Sequence, residues 1–387
     1  MSYFLLPYII DPINPNYIEL KEGVTEQRIS KSLSSYLNKM KEQINNYQVE
    51  WDIYKKYTNQ YEYIHTIIPF TKVSVCKLRP LSRSFYKLIE IFNLLNLEFL
   101  EEKITSFHLA EGPGGFIEAL INIRCSDKTR PDDLYYGMTL INDNDENVPG
   151  WKKSKYFLSK YPNVKIVSGA DGTGNLFNPK NLEYCIKHHK NSMDLITADG
   201  GFDFSINFNE QEGLSINLVL AQIIYAIALQ KYNGTFILKV FDLFTDATID
   251  LIYILSTLYE KTYIVKPYSS RSANSERYIV CKYYKLNDST DIVNKLMPFL
   301  DTNKSISRFI NFPLSYLFLN KIEDINAIIG QQQLENILAT LHLVENNKPE
   351  RLDSIKKTNI QKCIQWCTKN KLPYNKSITQ LNMFIQS

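Results

Sequence analysis

Short apolar runs alternate with stretches of helical spacing through the middle of the chain. Thr105–Ala110, Leu134–Thr139, Val164–Ser168, Met193–Ala198, Thr235–Phe241, Thr262–Tyr268 and Arg277–Tyr284 each read as a strand. Ser82–Leu94 reads as a helix ahead of the first strand. Gly115–Arg124, Leu214–Lys231 and Asp246–Tyr259 read as helices between later ones, with Asn233-Gly234 expected to stop the second of these. Strands separated by helices predict an α/β fold with a doubly wound, mostly parallel sheet. Only a short loop parts the last two strands, so the final strand is expected to run antiparallel to its neighbour.

The flanks follow other patterns. Residues 1–22, with Pro7, Pro12 and Pro15, read as an irregular lead-in. Ile29, Leu33, Leu37, Met40, Ile44, Trp51 and Tyr54 recur at helical spacing and predict one amphipathic helix over residues 24–57, capped by Thr25. Beyond the last strand, Leu314–Leu319, Ile325–Ile329, Leu334–Leu343 and Ile360–Trp366 form apolar helical stripes without recognisable chemistry. The predicted organisation is therefore an N-terminal helical extension (1–75), a central α/β domain (76–290) and a C-terminal helical region (291–387) suited to packing or to a partner protein.

Composition narrows the function classes. The longest apolar stretch, Leu214–Leu229, is broken by Ser215, Asn217 and Gln222 and falls short of the roughly 20 residues that span a bilayer. It reads as a buried helix, and no membrane contact is expected. A net charge of +3 over 387 residues allows a nucleic-acid partner. It argues against a long phosphate-tracking surface and suits a short contact such as an RNA end. The six cysteines are scattered. Cys363 and Cys367 share a helix face, but no further ligands lie nearby in sequence, so no metal site is expected. The start of the chain lacks the pattern of a secretory leader, and reduced thiols in a cytoplasm-like compartment are the expectation.

Candidate chemistry gathers where strands end, the edge at which open parallel sheets bind ligands. Ala110-Glu111-Gly112-Pro113-Gly114-Gly115-Phe116 is a glycine turn between strand and helix, able to approach a cofactor or to serve the fold alone. It matches neither the dinucleotide pattern nor the phosphate loop. Asp199 stands at the tip of a buried strand, as a ligand-edge acid or as a turn cap. Lys239 lies inside an apolar strand, where an unpaired ammonium costs several kcal/mol. It is either a snorkelling edge residue or part of a site. Glu276, at the start of an antiparallel strand, would reach the same edge and face Lys239. Lys87, on the helix before the first strand, reads by itself as a solvated lysine.

These stretches together resemble the FtsJ-like (RrmJ-type) RNA ribose 2′-O-methyltransferases, and most of all the cap-specific mRNA members. The matching segments are Arg83–Lys87, Ala110–Phe116, Tyr136–Leu140, Gly169–Asn175, Thr197–Gly201, Phe236–Phe241 and Arg271–Tyr278, in the family's order over residues 76–285. The resemblance implies a Rossmann-like methyltransferase sheet, S-adenosyl-L-methionine as cofactor and the 5′ capped end of mRNA as partner. It maps a catalytic tetrad onto Lys87, Asp199, Lys239 and Glu276, with Lys239 steering and deprotonating the ribose hydroxyl. It also implies cofactor contacts from Glu111, Gly112, Pro113, Gly114, Gly115 and Phe116, from Asp199 and from Asp171, the last at the adenine edge or else serving only as a turn aspartate of its glycine-rich loop. Arg271 and Asn274 would touch RNA near the target ribose, although both could simply order their loop. Glu111 departs from the family's pattern by standing where a small residue is expected; an acid there could meet the cofactor's amino group. A ribosomal or transfer RNA 2′-O-methyltransferase, and a non-catalytic subunit of a capping or transcription complex, remain the competing readings. The helical extensions could recruit a capping or polymerase partner.

Overall fold

The computed structural model describes residues 2–23, 26–99, 102–125, 130–142, 144–145, 148–201, 209–300, 305–376 and 378. In chain order the elements are β1 (Ser2–Leu5), β2 (Ile18–Glu22), α1 (Lys31–Ile44), α2 (Gln48–Thr58), α3 (Ser84–Leu95), β3 (Thr105–Leu109), α4 (Gly115–Arg124), β4 (Leu134–Met138), α5 (Lys155–Lys160), β5 (Val164–Ile166) and α6 (Pro179–His189). They continue with β6 (Met193–Ala198), α7 (Gln211–Leu229), β7 (Gln230–Val240), α8 (Asp246–Leu258), β8 (Tyr259–Lys266), β9 (Arg277–Tyr284), α9 (Thr290–Leu296), β10 (Ile306–Ile310), α10 (Tyr316–Glu345) and α11 (Pro349–Lys369).

Among the described residues the main sheet has eight strands in the order β1-β8-β9-β7-β6-β3-β4-β5. The run β7-β6-β3-β4-β5 is parallel throughout. β9 is antiparallel to both β7 and β8, which places it inside the sheet between them. Strands buried on both faces need near-continuous apolar sequence, and every residue of β6 is buried. α7 is the buried helix expected from the sequence, with every residue from Leu218 to its end at Leu229 buried. Each such Leu or Ile contributes roughly 1.5–3 kcal/mol of burial.

Four local expectations are corrected. The lead-in is not irregular: Ser2–Leu5 pairs with β8 as an edge strand, and Ile18–Glu22 pairs with β10. The single helix over 24–57 is two helices separated by a 3-10 turn at Asn45–Tyr47. Its start is delayed because Gln27 bridges Thr245 and the Arg28 N–H donates to the Phe244 carbonyl, holding that segment extended. The expected cap, Thr25, lies outside the described residues. Asn233-Gly234 does not stop α7, which passes straight into β7 at Gln230. The pair instead forms a bulge, with Asn233 at φ 64° and a register shift against β6.

The flanks share the core of the sheet. Leu6, Ile13 and Ile18 join a cluster that also holds β6, α7, α8 and residues Leu314 to Ile329. On the opposite face α11 inserts Cys363, Trp366 and Cys367 behind α3, against Tyr63, Ile64, Phe85, Tyr86 and Ile89. α1 and α2 pack Leu37, Met40, Ile44 and Trp51 onto Leu334, Ile337 and Leu341 of α10.

Candidate active site

Asp199 follows β6 directly, and Lys239 is the penultimate residue of β7. These strands are parallel neighbours, so both side chains leave at the carboxyl edge. Lys239 Nζ lies 3.3 Å from Asp199 Oδ1 and donates to the Asp199 carbonyl at 2.8 Å. β9 arrives from the opposite direction with Tyr278 beside Lys239, which brings Glu276 to the same edge. Lys87, in the first turn of α3, donates to Glu276 Oε2 at 2.8 Å, and both side chains are about nine-tenths buried. The four charged residues thus form two ion pairs. Glu276 was expected to face Lys239; its direct partners are Lys87 and the Ser270 hydroxyl, the latter at 2.7 Å.

Tyr278 joins the pairs. Its hydroxyl donates to Asp199 Oδ1 at 2.8 Å, and Lys87 Nζ stands 5.9 Å from the ring centroid. Burial, with Asp199 and Glu276 nearby, pushes the phenol pKa well above its ordinary value, so it remains a donor. Burial would push the Glu276 carboxyl up, but Lys87, Lys239 and Lys266 outweigh it and hold the group below the usual carboxylate range. Lys266, at the end of β8, donates to the Glu276 carbonyl at 2.6 Å and to the Asn274 carbonyl and Oδ1 at 2.7 and 2.6 Å. Burial, reinforced by Arg277 and Lys87 and opposed by Glu276, pulls its pKa down to about 7.

The loop between β8 and β9 is held from several sides. Arg271 forks onto the buried Glu62, Nε to Oε2 at 3.0 Å and Nη2 to Oε1 at 2.7 Å. Asn274 Oδ1 accepts from Lys266 and from Ser270 Oγ. Arg271 and Asn274 thus help fix the loop that presents Glu276, one of the two tasks expected of them.

The glycine turn sits beside the two pairs. Gly114, at φ 109°, adopts a conformation that favours glycine. Gly112 and Gly115 also lack room for a side chain. A Cβ on Gly112 would strike the Gly150 carbonyl, and one on Gly115 would strike the Ser82 and Ser84 hydroxyls. The Phe116 ring is fully buried, 6.0 Å from Tyr278, and supports that ring from behind. Pro113 offers its carbonyl to Ser154 Oγ at 2.5 Å. Glu111 caps α4: Oε1 accepts from the Phe116 and Ile117 N–H groups at 2.6 and 3.3 Å. Its other oxygen, Oε2, is buried without a hydrogen-bond partner. Burial and the adjacent Asp199 raise its pKa well above the usual range. Asp171 accepts from Thr173 N–H and Oγ1 and from the Asn178 and Asn181 amides, which makes it the tie of its own loop.

His65 lies close to Arg83 and Lys87, and burial, reinforced by Arg83, lowers its pKa to about 3. A folded-state pKa below the ordinary value of about 6.5 means that the unfolded chain binds the extra proton first. The stabilisation is full above pH 6.5 and is lost as pH falls. Between pH 7 and pH 5 His65→Asn is expected to remove about 2 kcal/mol of that loss, read from urea midpoints at the two pH values. An unchanged difference would contradict the neutral buried imidazole.

Residues 80–284, just over half of the chain, match the FtsJ-like methyltransferase family. The chain belongs to that family. Among curated relatives, it is 32% identical over 294 residues to the cap-specific mRNA (nucleoside-2′-O-)-methyltransferase 1 of Drosophila melanogaster, covering 70% of this chain and 36% of that one. It is 38% identical over 176 residues to the corresponding enzyme 1 of Trypanosoma cruzi, covering 44% and 45%. It is 28% identical over 337 residues to methyltransferase 2 of Danio rerio, covering 85% and 45%. The chain thus spans less than half the length of these relatives. A solved ribosomal RNA methyltransferase from Plasmodium falciparum aligns with 53% of this chain and 98% of its own at 22% identity and a TM-score of 0.37.

S-adenosylmethionine is the methyl donor of the FtsJ-like family, and the residues at the sheet edge fit it. The unpartnered Glu111 Oε2 is a buried acceptor that lacks a donor, and an amino-acid ammonium group supplies one. The glycine turn and Asp199 would hold the rest of that end.

Tyr278 and Lys266 escaped the sequence reading. Alternation along a strand places residue 278 on the same side as 276, and Lys266 closes an apolar strand just as Lys239 does.

Proposed function

We propose that the chain transfers a methyl group from S-adenosylmethionine to a ribose 2′-hydroxyl at the 5′ capped end of mRNA. The observation that carries this reading is the pair of ion pairs, Lys87–Glu276 and Lys239–Asp199, bridged by Tyr278 beside the glycine turn. The names of the curated relatives support the cap as substrate.

Bound S-adenosylmethionine supplies an electrophilic methyl group on a sulfonium. Lys239 Nζ, anchored by two oxygens of Asp199, directs a remaining N–H to the ribose hydroxyl and fixes its line of approach. As the C–O bond forms and the S–C bond breaks, the hydroxyl proton passes to the Lys239–Asp199 pair, which acts as one acid–base unit. Lys87 and Glu276 hold the neighbouring wall, and Tyr278 keeps Asp199 in place. A hollow one turn ahead of Lys87, walled by Arg79, Ser82 and Arg83, offers cations to an RNA backbone.

The test is methyl transfer to matched capped and uncapped RNA, with nucleoside analysis of the product. Transfer to the capped form at the first transcribed ribose is expected; methylation of uncapped RNA alone would replace this reading with a ribosomal or transfer RNA one. For the cofactor, Glu111→Gln is expected to raise the calorimetric Kd for S-adenosylhomocysteine about tenfold, the scale of one charged hydrogen bond. An unchanged Kd would place the amino group elsewhere.

A further inference from the structure

Charged side chains from several elements anchor the loop between β8 and β9 along its length. Glu90 of α3 accepts from the Tyr268 and Ser269 N–H groups at 2.8 and 2.9 Å and from Ser269 Oγ at 2.7 Å. Arg83, at the start of α3, donates to the Ser269 carbonyl at 3.0 Å. Glu62 holds Arg271 in the middle of the loop. These three contacts fix where the loop lies, but they stop short of the residue it presents, Glu276.

Lys266 reaches it. An ammonium has three N–H donors, and all three meet oxygens at the end of the loop. They go to the Asn274 carbonyl at 2.7 Å, to Asn274 Oδ1 at 2.6 Å and to the Glu276 carbonyl at 2.6 Å. The residue is 6% exposed. Pro267 follows directly and has no N–H to carry the ladder on, so β8 ends at Lys266 and its side chain reaches forward over the turn. The Ser270 hydroxyl lies between Asn274 Oδ1 and Glu276 Oε1, at 3.3 and 2.7 Å. Backbone and carboxylate of Glu276 are therefore both tied to Lys266, the first directly and the second through Asn274 and Ser270.

A neutral amide could close such a loop with less desolvation than a buried ammonium, so the charge calls for a reason of its own. Burial opposes the ionised form of Glu276, and Lys87, Lys239 and Lys266 together outweigh it. Lys266 thus adds to the field that keeps the Lys87–Glu276 pair charged. The acid that acts most strongly on Lys266 is likewise Glu276.

We propose that Lys266 is a positioning residue for the methyl transfer: it sets Glu276, and through Glu276 the ammonium of Lys87, at the wall of the site beside Lys239. The role rests on the transfer reading above. Lys266 acts through Glu276 and not on the reacting atoms.

The experiment is a double-mutant cycle on kcat in the full chain, combining Lys266→Met with Glu276→Gln. It is run at about pH 6, where Lys266, pulled down by burial to about 7, carries its proton. Methionine keeps the buried stem and removes the donors. Lys266→Met alone is expected to lower kcat by about ten- to a hundredfold, with the Kd for S-adenosylhomocysteine unchanged. In the Glu276→Gln background the same change should cost less than about threefold more, because the group it positions is already lost. Asn274→Ala removes one of the three acceptors and leaves both carbonyl bonds. It covers the case in which the methionine variant does not fold, and it should lower kcat severalfold in the parent and much less beside Glu276→Gln. Equal factors in the two backgrounds would make Lys266 a part of the scaffold alone and overturn the role. Parental turnover in Lys266→Met or in Glu276→Gln would overturn it as well. The cycle is measured on capped and on uncapped RNA. Turnover on uncapped RNA alone, with the factors still unequal, would overturn the cap reading and keep the role of Lys266; no turnover on either RNA would overturn both.

Discussion

Lys239→Ala is expected to lower kcat for 2′-O-methyl transfer by roughly 10²- to 10⁴-fold, the range spanned by loss of a positioned acid–base group. The fold should survive the change. Asp199 keeps the Tyr278 hydroxyl at 2.8 Å, and Lys239 and Asp199 are each a little over one-tenth exposed, so water can reach the carboxylate that is left. The effect should therefore fall on turnover, with the S-adenosylhomocysteine Kd and the thermal midpoint close to those of the parent. Lys239→Arg is the informative companion. A guanidinium restores the charge but is larger, planar and does not give up its proton. If charge alone were needed, arginine would recover most of the rate; the proposed proton path predicts that it recovers little. Turnover within tenfold of the parent in the alanine variant would remove Lys239 from the reaction.

Asp242→Ala is expected to cost about 3–5 kcal/mol of folding stability, the usual consequence of removing one member of a buried ionic cluster. Asp242 Oδ2 accepts from Lys41 at 3.1 Å and Oδ1 from Arg277 at 3.2 Å, with all three side chains less than one-tenth exposed. Arg277 also donates to Asn326 Oδ1 at 3.0 Å and to the Ser275 carbonyl at 3.2 Å. The cluster thus fastens α1, the start of β9 and α10 to the turn after β7. Alanine removes the carboxylate that both buried cations share, leaving Arg277 with Glu212 as a neighbouring acid. Urea unfolding monitored by circular dichroism measures the loss, and a change below about 1 kcal/mol would show that water or rearrangement compensates the cations. Asp242→Asn, which keeps an acceptor but not the charge, should fall between the two.

The central fold was legible because the strands of a parallel sheet are written as continuous apolar runs, and β3, β4 and β6 appear nearly where those runs predict. Lys239 and Asp199 were legible because a charge at the end of such a run has few structural uses. The N-terminal strands were not. β1 and β2 are short edge strands whose partners, β8 and β10, lie some 260 and 290 residues further along the chain, and four or five residues carry too little pattern to announce such pairing. The split of α1 from α2 was hidden because the apolar spacing continues through a 3-10 turn. Asn233-Gly234 misled because the same dipeptide suits a helix end and a β-bulge, and only the partner strand decides between them. At the site, the sequence named the four charges but paired Glu276 with Lys239. Which lysine meets which acid depends on how α3 lies across the sheet, and no local pattern encodes that angle.

The insertion of β9 between β7 and β8 also bears on how the chain assembles. During synthesis β7 and β8 emerge first, yet they are not hydrogen-bonded to each other and wait for a strand made later. Until β9 arrives, each has an open backbone edge, and Glu276 and Tyr278 have no place to go. A partly synthesised chain therefore carries Lys239 and Asp199 without the groups that complete the site. The order of translation leaves an unfinished polypeptide without a complete candidate site, and it makes the interval between β8 and β9 the stage at which a chaperone that covers strand edges has the most to protect.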